Sequence, residues 1–294
     1  MDGIEMDEKL VHSLLREQQP DLAPLNLREV VGGWDNQLWR LGDELAVRMP
    51  RTPRAPSLLR NEYRWLPALT PGLPLPVPTP VRISEPSLRF PWPWIVAKWV
   101  PGEPADRAVV TRGGHAADAL AGFLTALHQI APAEAPANPS RGVPLKALGI
   151  DFDELNREVA DIGGEVRDIW SEAVSAPEWQ GPPIWLHGDL HPANVVVADG
   201  TLTGVLDFGE VCAGDPATDL SAAWLLLPSG TATRFFDAYA TADEAMIRRA
   251  RGWAVLRAIG LISIGRAGEL GLPGGKTTWG PAGRSALESV LASV

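Results

Sequence analysis

The feature that most constrains this chain is a polar segment followed by two short apolar runs. The polar segment reads His187-Gly188-Asp189-Leu190-His191-Pro192-Ala193-Asn194 and leads into Val195-Val196-Val197. Asp199-Gly200 separates this run from a second one, which ends in Leu206-Asp207-Phe208-Gly209. Two apolar runs joined by an Asp-Gly dipeptide predict a β-hairpin. We expect the hairpin to hold Asp189, Asn194 and Asp207 close together.

Carboxylate and amide side chains of this kind are what phosphoryl transfer from a nucleotide requires. A carboxylate must orient the attacking hydroxyl and accept its proton, and hard oxygen ligands must hold Mg²⁺ on the phosphates. The spacing His-x-Asp-x-x-x-x-Asn, followed by a strand pair and Asp-Phe-Gly, is that of the protein-kinase catalytic loop. Gly188 stands where protein kinases usually carry Arg.

The same residues resemble the aminoglycoside phosphotransferase family, whose members are kinase-fold enzymes that phosphorylate small molecules. The later segment Gly214-Asp215-Pro216-Ala217-Thr218-Asp219-Leu220 fits this family as well. The resemblance implies a two-lobed, protein-kinase-like α/β (α+β) fold. Its small N-terminal lobe, with a mainly antiparallel sheet, would cover residues 1–99 and bind the nucleotide. The larger, mostly helical C-terminal lobe would cover residues 100–294 and bind the acceptor.

Roles for the catalytic segment follow from the resemblance. Asp189 would orient and deprotonate the acceptor hydroxyl. Asn194 and Asp207 would hold Mg²⁺. His187 would stabilise the loop, and Asp219 would support it from behind.

The first nucleotide contacts are expected in the N-terminal lobe, where residues 25–49 read as three strands. Gly33 and Asn36 lie in a glycine-containing turn after the first strand, where backbone N–H groups could approach phosphate. The turn does not follow the pattern G-x-G-x-x-G, and a plain hairpin turn explains it too. Lys98 and Val100 would offer backbone groups to the adenine edge, because the linker between kinase lobes lies there.

Arg48, at the end of the third strand, occupies the position where kinase folds place a phosphate-binding Lys. A guanidinium binds phosphate too, but it is wider and aimed differently than an ammonium. Glu62, on the following helix, is the best match for the family's acidic partner of this basic residue. The alternatives are a surface Arg in a strand and a solvated surface Glu.

Apolar spacing predicts the other elements of the chain. Helices are expected at residues 7–18, 56–69, 116–130, 151–174 with a break at Gly163-Gly164, 220–227, 231–239, 242–264 and 282–294. Trp279 is expected in a glycine-rich loop between the last two. Residues 70–80 are rich in proline and predict an extended connector. The acidic stretch 151–174 is either a solvated face or a wall for a polycationic substrate.

Composition limits the classes of molecule that the chain is expected to bind. The formal net charge of −10 over 294 residues argues against general nucleic-acid binding, which needs a basic surface. It suits a cationic small molecule as well as mere solubility. A single cysteine, Cys212, excludes a disulfide framework within one chain. With no signal-peptide pattern and no apolar run of membrane-spanning length, the chain is expected to be cytoplasmic and to bind no membrane.

The combined expectation is an Mg²⁺-dependent kinase that transfers the γ-phosphate of ATP or GTP to a hydroxyl of a small molecule. An aminoglycoside or related antibiotic is the leading acceptor, and the acidic net charge suits a cationic one. One alternative is a kinase for another acceptor, such as a macrolide, a choline-like amine, a sugar or another metabolite. A second alternative is a non-catalytic nucleotide-binding module. Loss of Asp189 or Asp207 would favour such a module, but the sequence contains both residues.

Overall fold

Residues 6–30, 33–159 and 163–294 are described by the computed structural model, and the chain packs as two units. The first unit comprises Met1–Pro71, Pro76–Val100 and Leu206–Glu210. The second comprises Gly72–Leu75, Pro101–Val205 and Val211–Val294. The first unit therefore includes the segment Leu206–Glu210 from the predicted C-terminal lobe. This segment packs on a helix of the first unit, where the Asn61 side-chain amide donates to the Gly209 carbonyl at 2.9 Å.

The first unit is built on an antiparallel sheet with strand order β1-β2-β3-β5-β4. The three predicted N-terminal strands and both predicted helices are present, and β4 begins at the last proline of the predicted connector. The bounds are α1 Glu8–Gln18, β1 Leu27–Val30, β2 Asn36–Leu41, β3 Leu45–Pro50, α2 Ala55–Leu69, β4 Pro80–Ser84 and β5 Trp94–Lys98.

The sheet of the first unit is covered by α1, whose start is encoded locally. The Asp7 carboxylate accepts a hydrogen bond from the Leu10 N–H at 2.8 Å, as an N-cap residue does. The apolar face of α1 then joins the large side chains of the strands in one core. That core includes Val11, Leu14, Leu15, Trp39, Leu41, Met49, Phe90 and Trp94.

The second unit is mostly helical. Its long helix α9 packs against α10, α5 and α6. The bounds are β6 Glu103–Pro104, α3 Gly113–Leu127, α4 Phe152–Val159, α5 Gly164–Ser175, β7 Ile184–Leu186, β8 Val195–Ala198, β9 Thr201–Val205, β10 Cys212–Gly214, α6 Ala217–Leu220, α7 Ala222–Leu225, α8 Ala232–Tyr239, α9 Glu244–Glu269 and α10 Trp279–Leu291.

Several predicted helix boundaries in the second unit are wrong. Helix α9 runs to Glu269 rather than ending at residue 264, and the single helix expected over 220–227 is divided into α6 and α7. Helix α3 ends at Leu127 rather than Ile130, because the next residues pair with β7 instead: the Gln129 carbonyl accepts from the Trp185 N–H at 2.9 Å. Trp279 begins α10 rather than lying in a loop. Pro281 sits in the first turn of this helix, where a missing N–H costs nothing.

The predicted hairpin is present as β8 and β9, which pair antiparallel. Asp199 and Gly200 at its tip have φ values of 50° and 74°. Positive φ at both central residues is the requirement of a tight type I′ turn, and it explains the Asp-Gly dipeptide. The chain leaves β9 at Val205 and directly enters the Leu206–Glu210 segment of the first unit.

Two further expectations concern the surface of the chain. In the acidic stretch, Asp151, Glu154, Glu165, Asp168 and Glu172 are exposed, while residues 160–162 lie outside the described residues. Exposed carboxylates are what both expectations for this stretch require, a solvated face and a wall for a polycationic substrate. Each helix in the described ranges is either too short or too polar to cross a membrane.

Candidate functional site

The loop that carries Asp189 is fixed by a buried carboxylate beneath it. Asp219 is fully buried and accepts hydrogen bonds from the backbone N–H groups of His187 and Gly188, at 2.7 and 2.9 Å. Gly188 has a φ of 82°, a backbone conformation that residues other than glycine rarely adopt. The His187 ring nitrogen Nδ1 in turn accepts from the Asp189 N–H at 3.1 Å. The backbone on both sides of Asp189 is therefore held in one conformation.

Asn194 closes the same loop from its other end. Its amide nitrogen donates to the Asp189 backbone carbonyl at 2.9 Å. Because the nitrogen is used in this way, the amide oxygen is the atom of Asn194 that can bind a cation. An amide oxygen and a carboxylate are the hard ligands that Mg²⁺ prefers.

The Asp189 carboxylate is held from one side by two arginines. Its Oδ1 accepts from Arg257 Nη1 at 2.8 Å and from Arg141 Nη2 at 3.3 Å. Within the part of the chain that the structure describes, the contacts of Oδ2 are longer than those of Oδ1. Asn194 Nδ2 lies 3.5 Å from Oδ2, and His191 Nε2 lies 3.7 Å from it. Burial alone would raise the pKa of Asp189, but the charges of Arg257, His191 and Arg141 outweigh it and hold that pKa well below its usual range. Asp189 is therefore an ionised carboxylate at neutral pH.

A second polar cluster lies within the first unit, around Arg48. Its Nη1 donates to both oxygens of Glu62, at 2.5 and 2.6 Å, and its Nη2 donates to Asp207 Oδ1 at 3.1 Å. The Glu62 side chain is fully buried, whereas the Asp207 side chain is 46% exposed. Burial would lower the pKa of Arg48, but the charges of Glu62 and Asp207 outweigh it and raise that pKa. Arg48 is thus a fixed cation between two carboxylates, and Asp207 remains open to solvent.

The remaining predicted nucleotide contacts also lie in the first unit. Gly33 has a φ of 69°, and a Cβ there would collide with the carbonyl oxygen of Asn36, so this turn requires glycine. Asn36 is buried, and its Oδ1 has no hydrogen-bond partner within the described residues. The Lys98 N–H donates to the Thr79 carbonyl at 2.9 Å, which leaves only the Lys98 carbonyl for an adenine edge. Val100 is buried at the end of this segment.

Most of the chain matches the model of a known sequence family. The profile of the phosphotransferase enzyme family matches residues 26–259, which covers the Arg48 cluster, the Asp189 loop and most of α9. The chain belongs to this family. The resemblance to aminoglycoside phosphotransferases is thereby confirmed.

Individual relatives of this phosphotransferase-family chain are antibiotic-modifying enzymes by name. An aminoglycoside 3'-phosphotransferase of Escherichia coli is 27% identical over 139 residues, covering 45% of this chain and 51% of that protein. The viomycin phosphotransferase of Streptomyces vinaceus is 31% identical over 199 residues, covering 62% and 67% respectively. The chain thus spans about half the length of the aminoglycoside enzyme that it matches.

Solved structures show the fold of this phosphotransferase-family chain. The GDP complex of wild-type aminoglycoside 2'-phosphotransferase-IIIa has a TM-score of 0.66 and 19% identity, covering 98% of this chain and 99% of that chain. The apoenzyme of a macrolide 2'-phosphotransferase from Brachybacterium faecium has a TM-score of 0.62 and 22% identity, covering 96% and 98%. The predicted kinase-like fold class, with an antiparallel sheet lobe and a helical lobe, is confirmed.

The structure of this phosphotransferase-family chain distributes the predicted site residues between its two units. Arg48, Glu62 and Asp207 meet in the first, where the pairing expected for Arg48 and Glu62 is present. Asp189 and Asn194 meet in the second, together with His187 and Asp219.

The two arginines that bind Asp189, and part of the support beneath its loop, could not be predicted from the sequence. Arg141 lies in a proline-rich loop and Arg257 in the middle of a helix, and neither has a local motif that points to Asp189. His128 is part of this support, because its Nε2 lies 3.3 Å from Asp219 Oδ2 and its Nδ1 lies 2.8 Å from the Tyr239 hydroxyl.

Proposed function

We propose that the protein transfers the γ-phosphate of ATP or GTP to a hydroxyl of a small molecule, with an aminoglycoside or related antibiotic as the leading acceptor class. Family membership supports phosphoryl transfer, and the names of the relatives support an antibiotic acceptor. The observation that carries the proposal is Asp189, an ionised carboxylate on a rigid loop, with one oxygen bound to arginines and the other only weakly engaged. A reaction that consumes a nucleoside triphosphate fits the cytoplasmic location expected from the sequence.

Asp189 has the role of orienting the acceptor in this proposal. The acceptor oxygen forms a bond to the γ-phosphorus while the bond from phosphorus to the β–γ bridging oxygen breaks, and the hydroxyl proton passes to the Asp189 carboxylate. The nucleoside diphosphate leaves with the bridging oxygen. Because phosphoryl transfer proceeds through a loose transition state with little covalent chemistry for the protein, positioning matters more than strong basicity. A carboxylate with a lowered pKa is therefore suited to the task.

We assign the nucleotide to the first unit and the acceptor to the second. Arg48 would contact the nucleotide phosphates, Gly33 and Asn36 would line the phosphate turn, and backbone groups of Lys98 and Val100 would face the adenine. His187 and Asp219 would keep the catalytic loop in place.

Mg²⁺ is the metal that an amide oxygen and a carboxylate suit, and Asn194 and Asp207 each offer one of these. Asn194 would bind it through its amide oxygen, and Asp207 through its half-exposed carboxylate. When bound, the ion would neutralise charge on the β- and γ-phosphate oxygens.

A second candidate function is the same reaction on a different acceptor. It is favoured by the macrolide 2'-phosphotransferase among the fold relatives. A choline-like amine, a sugar or another metabolite would also keep the catalytic residues and change only the acceptor pocket. A non-catalytic nucleotide-binding module is the remaining alternative, and it predicts nucleotide binding without any product.

A screen tests the proposal directly. Thermal-shift measurements with ATP and GTP, each with and without Mg²⁺, identify the donor. Mass spectrometry then detects a phosphorylated product from a panel of aminoglycosides, viomycin, macrolides, choline and sugars. We expect a product that carries one added phosphoryl group. Mg-nucleotide binding with no product from any member of the panel, and no nucleotide hydrolysis, would favour the non-catalytic module.

The Arg48 cluster yields a prediction about stability and nucleotide affinity. Arg48→Ala leaves Glu62 buried without a cation, so we expect a loss of about 3–5 kcal/mol in the free energy of unfolding, measured with urea. The nucleotide KM should rise more than the acceptor KM. Arg48→Lys should rescue only part of both effects, because one ammonium cannot reproduce the separate contacts of Nη1 and Nη2 with Glu62 and Asp207.

A double-mutant cycle provides the control for this prediction. If Arg48 and Glu62 act as a unit, the effects of Arg48→Ala and Glu62→Ala on kcat/KM will not add. Strict additivity would show that the two residues are uncoupled. The phosphates would then need another cation, for which Arg51 and Arg54 are the next choices in the sequence.

A further inference from the structure

Arg257 makes two contacts with the catalytic loop from the middle of α9. Its Nη1 donates to Asp189 Oδ1 at 2.8 Å, and its Nη2 donates to the Gly188 carbonyl at 2.6 Å. One guanidinium therefore holds the carboxylate and the backbone of the preceding residue at the same time. Its side chain is only 17% exposed, so water competes little for these bonds. Bonds to a charged acceptor in such a setting are short and strong.

Another arginine of α9 makes the same kind of contacts elsewhere. Arg249 donates to both oxygens of Asp215, at 2.7 and 3.2 Å, and to the Pro177 carbonyl at 2.5 Å. Both arginines thus bind one carboxylate and one backbone carbonyl from the same helix. They differ in the carboxylate: Asp215 is buried in the protein, whereas Asp189 carries the proposed chemistry. The chain therefore contains its own structural control for Arg257.

The two oxygens of Asp189 are not equivalent. Oδ1 is bound by Arg257, with a longer contact from Arg141 at 3.3 Å. Arg141 is also held by the Ser140 carbonyl at 2.9 Å, so its contact with Asp189 is the weaker of the two. The recorded contacts of Oδ2 within the described residues are 3.5 and 3.7 Å, longer than a good hydrogen bond. Oδ2 is therefore the oxygen that can accept a strong bond from a substrate.

We propose that Arg257 is a positioning residue, which holds Oδ1 of Asp189 so that Oδ2 receives the hydroxyl of the acceptor. The inference rests on the proposed phosphotransferase function and names a residue on which its rate depends. Without the guanidinium, the carboxylate can rotate about χ2 and exchange its oxygens. The acceptor then meets Oδ2 in the productive orientation only part of the time. Misplacement of a reacting group by about 1 Å can cost about 10²-fold in rate.

The test compares Arg257→Gln, Arg257→Lys and Arg249→Lys with the wild-type protein. Phosphoryl transfer is measured with Mg-ATP or Mg-GTP, both as phosphate release with water as the acceptor and as transfer to the acceptor found in the panel. Arg257→Gln is expected to lower kcat about 10²-fold with little change in either KM, because positioning acts mainly in the transition state. Arg257→Lys keeps the charge but loses the fork of two nitrogens that reaches Asp189 and the Gly188 carbonyl separately. Its kcat should therefore lie between those of the wild type and Arg257→Gln. Arg249→Lys should keep the wild-type kcat.

Several outcomes would overturn the inference. A wild-type kcat in Arg257→Gln would show that the guanidinium does not position Asp189. An equal loss in Arg249→Lys would also overturn the inference, since the effect would then follow the stability of α9. A raised acceptor KM at unchanged kcat would make Arg257 an acceptor-binding residue instead. If the wild-type protein transfers no phosphoryl group to water or to any acceptor, the proposed function fails and this inference fails with it.

Discussion

The Asp189→Asn variant is expected to lose about 10²- to 10⁴-fold in kcat, the range for removal of a general base. The substitution keeps the size of the side chain and an oxygen that can accept from Arg257 and Arg141. It removes the negative charge that orients the acceptor hydroxyl and takes its proton. Steady-state kinetics with the acceptor found in the panel measure the loss.

Nucleotide binding provides the control for Asp189→Asn. The substitution keeps the Asp189 backbone carbonyl that holds Asn194, and it leaves Arg48 and Asp207 unchanged, so calorimetry should give nearly the wild-type affinity for the Mg-nucleotide. A thermal melt checks that Arg141 and Arg257, left without a carboxylate, do not unfold the loop. Near-wild-type turnover in a folded variant would contradict the assignment of Asp189 as the group that orients and deprotonates the acceptor hydroxyl.

The Asp207→Ala variant is expected to lose the Mg²⁺-dependent part of nucleotide binding. The carboxylate of Asp207 is the proposed anionic ligand of the ion, and Mg²⁺ bound there would neutralise charge on the phosphates. Calorimetric titration with ATP and GTP, each in the presence and absence of Mg²⁺, measures the effect. Equal Mg-nucleotide affinity in variant and wild type would refute the metal role.

Asp207→Asn is the matched control for this position. Asp207 has a φ of 58°, a conformation that Asn tolerates better than Ala. The amide oxygen of Asn can also accept the bond from Arg48 that Asp207 Oδ1 accepts at 3.1 Å. Asn therefore removes the charge and keeps the local structure. If the metal role is right, both variants lose the response to Mg²⁺, while only the Ala variant loses appreciable stability in urea.

Much of the fold could be predicted, because the signals are local. Helix α1 follows from an Asp cap and apolar spacing, and the hairpin of β8 and β9 follows from Asp199-Gly200 between two apolar runs. The errors lie at element ends, where partners distant in sequence decide. Helix α3 stops early because the residues that follow it pair with β7, and α10 starts early although glycine and proline residues surround Trp279.

The sequence by itself determined the loop around Asp189, because the spacing from His187 to Asn194 is a property of one continuous segment. The same spacing indicated the family to which the chain belongs. It also indicated the partner of Arg48, since Glu62 lies on the next helix. Only the tertiary structure decided what surrounds the Asp189 carboxylate. Arg257 is 68 residues from Asp189, and a long charged side chain on a helix carries no local mark of its partner. Such an ion pair arises only when packing of α9 brings the guanidinium to the loop, where burial makes the contact strong enough to fix one oxygen.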